Sequence, residues 1–128
     1  VPDVSIYLWI AIGSGFGGVA RLGCSDLMTR WLGPQFPWGT LLVNVVGSFV
    51  IGYVAAFAGT ASPLGEPTMA VFLMVGVCGG YTTFSAFSLQ TMALAHQGAW
   101  ARAGLNIVGS VVLCAGAVVL GRLAAGVA

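Results

Sequence analysis

Thr40, Asn44 and Ser48 recur every four residues, and so do Asn106, Ser110 and Cys114. That spacing puts each set on one face of a helix. A third group, Phe84, Ser85, Phe87, Ser88, Gln90 and Thr91, follows a run that carries Gly76, Gly79, Gly80, Thr82 and Thr83. The chemistry on offer is hydrogen-bond donation without charge, from asparagine NH₂ and from serine and threonine OH. Phenylalanine ring edges add partial positive charge through the ring quadrupole. No Asp, Glu or Lys lies among these residues; Asp3, Asp26 and Glu66 fall outside the apolar stretches. Donors without carboxylates favour an anion over a cation. A small, strongly hydrated anion needs closely spaced donors to replace its water. Each group also has a plain structural reading. Hydroxyls back-bond to their own helix, asparagines join neighbouring helices, and phenylalanines pack. Together, two polar stripes beside an interrupted helix point to a narrow path for a small anion. The missing carboxylate argues against a proton-coupled exporter of cationic drugs. The remaining alternative is a membrane assembly subunit in which the stripes only hold helices together.

The elements that must position these residues follow from composition. Of 128 residues, 59% are hydrophobic and 5% charged, with a mean hydropathy of +1.02. A soluble domain is about a quarter charged. Here Asp3, Arg21, Asp26, Arg30, Glu66, Arg102 and Arg122 are the whole set, and no lysine occurs. That excludes a soluble monomer, a disordered tail and a nucleic-acid binder, which needs a basic patch. The chain reads as one all-α domain over 1–128 in the lipid bilayer. About 20 apolar residues cross the hydrocarbon core as a helix, and four stretches qualify, at roughly 5–24, 38–59, 67–95 and 100–123. Short connections imply a compact antiparallel bundle. The opening residues lack the basic stretch and cleavage site of a secretory signal. The third span is longer than it needs to be. Its glycines and threonines predict a mid-membrane break near 79–83, the best sequence pointer to a site. Close packing through Gly13-x-x-x-Gly17 and Gly76-x-x-x-Gly80 is the other reading of the same glycines. Arg21, Arg30 and Arg102 lie toward one side and Arg122 toward the other. So weak a bias permits insertion both ways. Cys24, Cys78 and Cys114 show no metal-ligand spacing and read as small buried hydrophobes. His96 has no nucleophile near it and reads as an interfacial loop residue.

At these residues the chain resembles the Fluc (CrcB) family of fluoride ion channels. Gly17-Gly18-Val19-Ala20-Arg21 looks like the family's first-helix Gly-Gly-x-x-Arg. Gly39 to Phe49 is similar to its Gly-Thr-Leu-x-x-Asn-x-x-Gly signature, and Gly76 to Ser88 to its Gly-Gly-x-Thr-Thr-Phe-Ser-Thr-Phe-Ser signature. Leu105-Asn106 fits the start of the fourth span. The resemblance implies a dual-topology homodimer, two copies inserted upside-down to each other, in a bacterial inner (plasma) membrane. It implies two passive fluoride pores per dimer, lined by Asn44, Phe84, Phe87, Thr40, Ser110 and Thr83, with Arg21 at a vestibule. It also implies a structural Na⁺ at the dimer interface, held by backbone carbonyls of Gly79 and Thr82. Three positions depart from the family pattern. Ala86 stands where threonine is common, Gln90 where glutamate is common, and Cys114 where serine is common. By the same resemblance, fluoride that enters as neutral HF and ionises inside would leave down its gradient.

Overall fold

Backbone groups in hydrocarbon must be satisfied within the segment, so an apolar chain of this kind folds into helices. The computed structural model describes residues 3–127, and no strand occurs among them. The elements are α1 (Val4–Leu32), α2 (Trp38–Ala55), a 3₁₀ turn (Pro63–Gly65), α3 (Pro67–Val71), a π-helical segment (Phe72–Cys78), α4 (Gly79–Tyr81), α5 (Phe84–His96) and α6 (Trp100–Ala124). Elements α3 to α5 form one interrupted span, Pro67–His96. With α1, α2 and α6 it makes four stretches long and apolar enough to cross a membrane.

Helix α1 runs well past the 5–24 stretch that hydropathy marks, through Asp26 and Arg30 to Leu32. Charge ends a membrane span but not a helix. Nothing breaks the backbone until Gly33, whose φ of +83° turns the chain. At 29 residues α1 is about 44 Å long and exceeds the hydrocarbon thickness of about 30 Å. Arg21 therefore lies in the middle of a helix rather than at its end. Helix α2 stops at Ala55, and turns fill 56–59. In the third span Gly79 and Gly80 are helical; only Thr82 (ψ 159°) and Thr83 (φ −154°, ψ 115°) leave helical geometry.

The main packing partners are α2 with α6 and α1 with the π segment and α4. At the second contact both small-residue motifs are used at once. A Cβ added at Gly17 would run into Val77 O, and one at Gly80 into Ser14 O. Backbone thus lies on backbone, which only glycine permits. Ser14 Oγ donates across this seam to Gly76 O at 3.4 Å. The glycines therefore serve close packing, while the threonines make the break. The interior is unlike that of a water-soluble protein. Thr40, Thr83, Asn106 and Ser110 are buried, while Val19, Leu22, Leu89 and Leu123 face outward. With lipid as solvent, outward leucine costs nothing and polar side chains turn inward.

Candidate functional site

The break is held by a side chain from another helix. Thr83 N–H donates to Asn44 Oδ1 at 2.8 Å, and Asn44 Nδ2 donates back to Thr83 O at 3.1 Å. In an unbroken helix Thr83 N–H would bond Gly79 O, and Ala86 N–H would bond Thr82 O. Ala86 N–H instead donates to Thr83 Oγ1 at 3.1 Å, capping α5. Asn44 and Thr83 therefore release the carbonyls of Gly79 and Thr82 from their helical donors. Gly47, on the Asn44 face of α2, makes room for the break: a Cβ there would collide with Thr82 Cγ2.

Beside the break lies a cleft of about 380 Å³. Asn44 and Ser48 of α2, Gly79, Thr82, Thr83, Phe84, Phe87, and Ser110 of α6 all line it, and no charged side chain does. The positive end of α5 starts at this cleft, while the negative end of α4 stops beside it. The Phe84 and Phe87 rings sit 5.2 Å apart between centroids at an interplanar angle of 47°. Phe84 is 78% exposed, so this chain alone does not seal the cleft.

The polar groups are not equally free. Thr82 Oγ1 donates to Cys78 O at 2.8 Å, Ser88 Oγ to Phe84 O at 3.0 Å and Thr91 Oγ1 to Phe87 O at 2.8 Å. These hydroxyls are spent on their own helix. Asn106, 2% exposed, donates through Nδ2 to Thr91 Oγ1 at 2.9 Å and ties α6 to α5. Ser110 Oγ reaches Asn106 Oδ1 only at 3.4 Å, a long bond that leaves the hydroxyl easy to redirect. The side-chain donors that remain on the cleft wall include the second Nδ2–H of Asn44 and the hydroxyls of Ser110, Ser48 and Thr83, the last shared with Ser85 Oγ at 3.3 Å.

Of the expected pore residues, Asn44, Thr83, Phe84, Phe87 and Ser110 meet in this one cleft, together with Gly79 and Thr82. Thr40, a turn before Asn44 and buried, and Arg21 do not line it. Ser48 was legible in the stripe and belongs on the wall. Cys114, the third member of the α6 stripe, also lines it, as do Met74 and Cys78, whose apolar neighbours in sequence hide this. Gln90 lies away from the cleft, in a second cavity of about 220 Å³ shared with Thr29, Gln35 and Gln97. Its Oε1 is buried without a hydrogen-bond partner.

The family model described as CrcB-like protein, Camphor Resistance (CrcB), matches residues 8–122 of the chain. A protein of Opitutus terrae named fluoride-specific ion channel FluC is 52% identical over 126 residues, spanning 95% of this chain and 93% of the relative. Proteins of the same name from Methylocella silvestris (50% identical, 93% of this chain and 92% of the relative) and Paramagnetospirillum magneticum (48% identical, 93% and 94%) are similarly close.

Proposed function

The chain belongs to the CrcB family, and on that premise we propose that it is a fluoride-selective ion channel, passive and not an enzyme. Its four apolar helices and bacterial relatives make it a multi-pass protein of a bacterial plasma membrane. The observation that carries this reading is the cleft itself. Uncharged donors, two phenylalanines and the positive end of α5 converge on one wall that bears no charge.

Fluoride entering the cleft gives up water and takes hydrogen bonds from Asn44 Nδ2–H and Ser110 O–H in its place. The ring edges of Phe84 and Phe87 continue the favourable potential along the path. Thr83 holds the geometry, Thr40 extends the polar track on α2, and Arg21 draws anions toward the vestibule. Export needs no energy source, because the cytoplasmic ion leaves down its own electrochemical gradient.

Two finer parts of the reading rest on the chain's own geometry. The first is an inverted homodimer with two pores. A cleft of about 380 Å³ with an exposed Phe84 on its wall is too wide to grip a small ion. A second copy closing over it would narrow it, and inverse insertion suits a chain with so little charge bias. The second is a structural Na⁺ between the copies. The Gly79 and Thr82 carbonyls, freed of their helical donors, would supply hard oxygen ligands from each chain, which fits a hard cation. It would brace the two breaks against each other.

The test is fluoride efflux from liposomes, read by a fluoride electrode with the voltage clamped by a potassium ionophore. Rapid loss of fluoride with retention of chloride is expected. Phe84→Ile should abolish that efflux while the dimer persists on size exclusion. Chloride loss at a comparable rate, or an undiminished Phe84→Ile, would overturn the assignment.

A further inference from the structure

A free asparagine amide is ambivalent: its oxygen suits cations and its NH₂ suits anions, and rotation by half a turn exchanges them. In this fold Asn44 has no such freedom. Oδ1 takes the Thr83 N–H at 2.8 Å and Nδ2 gives a hydrogen to Thr83 O at 3.1 Å. Turning the amide over would set Nδ2 against an N–H and Oδ1 against a carbonyl, replacing both bonds with like-polarity contacts. The backbone opposite cannot turn to compensate. Thr83 is 8% exposed, its Oγ1 is engaged by Ala86 N–H at 3.1 Å, and the neighbouring Thr82 fills the space left open by Gly47. The one polar hydrogen of Asn44 left uncommitted is its second Nδ2–H, on a residue that lines the cleft.

We propose that the Thr83 backbone is a positioning element that locks the sense of the Asn44 amide, so that the cleft meets an N–H donor and not the amide oxygen. The preference for an anion over a cation at this point is then a property of the helix break as much as of Asn44. A helix unbroken at Thr83 would keep its own N–H and C=O bonded internally and would leave the amide free to turn toward either kind of ion. This inference rests on reading the cleft as an anion path, and its test separates the two.

The chain has only two asparagines, Asn44 and Asn106, so asparagine-selective ¹⁵N labelling in lipid nanodiscs resolves both side-chain amides. The expected result is asymmetry at Asn44. One NH₂ hydrogen is protected from exchange and indifferent to anions, while the other shifts on titration with sodium fluoride and not with sodium chloride. Hydrogens that exchange equally and shift together would show an amide free to turn and would overturn the proposal. Asymmetric exchange in a protein without fluoride efflux would sustain the lock and remove the channel reading instead. Asn44→Asp supplies a second arm. Protonated at acid pH, its carboxyl keeps both bonds to Thr83 but has no further hydrogen to offer. Fluoride efflux in excess of that from protein-free vesicles at the same pH, where HF crosses the lipid unaided, should fall by about tenfold or more, the loss of one hydrogen bond to a charged group, while the variant remains a dimer on size exclusion. Efflux at the parent rate in that variant would overturn the proposal.

Discussion

Polar residues of similar type do different work here, and the difference lies in where each hydrogen goes. Thr82, Ser88 and Thr91 return theirs to their own helix, so those hydrogens are not offered to a ligand. Asn44 and Asn106 are both amides in polar stripes, yet Asn44 holds a backbone break and Asn106 holds a neighbouring helix. Asn106 is nearly inaccessible, and its two bonds link Ser110, Thr91 and, through Thr91, the Phe87 carbonyl. Asn106→Ala should therefore lower stability by about 1 kcal/mol, the scale of an interhelical side-chain hydrogen bond in lipid. It should also weaken the α5–α6 seam without removing the Asn44 clamp. Reversible unfolding in detergent or bicelles would read the first effect, and the protected Asn44 hydrogen the second. Unchanged stability would mean that Thr91 finds an equal partner elsewhere.

At the scale of elements, the third span shows how one sequence run meets two demands. Glycines at 76 and 80 let it lie on α1 backbone to backbone, and threonines at 82 and 83 end the helix and cap the next. The same span is also capped at its outer start. Glu66 accepts from Thr68 N–H at 3.1 Å and Met69 N–H at 2.8 Å. These backbone hydrogen bonds, that to Thr68 foremost, hold its carboxyl below the usual glutamate range. The sign follows from the lowered value. The cap contributes in full above the ordinary glutamate pKa and is lost as pH falls through the folded one. Thermal unfolding of the parent should therefore show extra destabilisation on acidification, and Glu66→Gln should lack that component. Identical acid dependence in the two proteins would exclude Glu66 as its source.

At the scale of the molecule, two kinds of exposed apolar surface coexist. Lipid satisfies Val19, Leu22 and Leu123 as well as a partner would. Phe84, 78% exposed on the wall of a polar cleft, is better placed against protein. An inverted pair would bury it from both copies. A small epitope placed in the loop after α1, at 33–37, should then be labelled by an impermeant probe in about half of the copies in right-side-out vesicles, and in the other half only after permeabilisation. Labelling confined to one side would rule out dual insertion and leave a dimer of parallel copies to close the cleft.

The sequence by itself determined the solvent, the helices and the types of group along the path. Hydropathy depends on composition over about 20 residues, and stripe membership depends only on a fixed helical period. Asn44, Phe84, Phe87 and Ser110 were therefore legible, as was an interruption near Thr82. Tertiary structure decided the rest. Whether a hydroxyl faces a ligand or its own helix depends on rotamer and neighbours, and spacing is blind to both. Whether Gly80 breaks a helix or packs it depends on α1 lying across it. The sense of the Asn44 amide depends on Thr83, 39 residues away along the chain. No local pattern encodes a contact of that range. It exists because Gly47 lets the break reach α2 and because the released backbone groups in hydrocarbon must find a partner there.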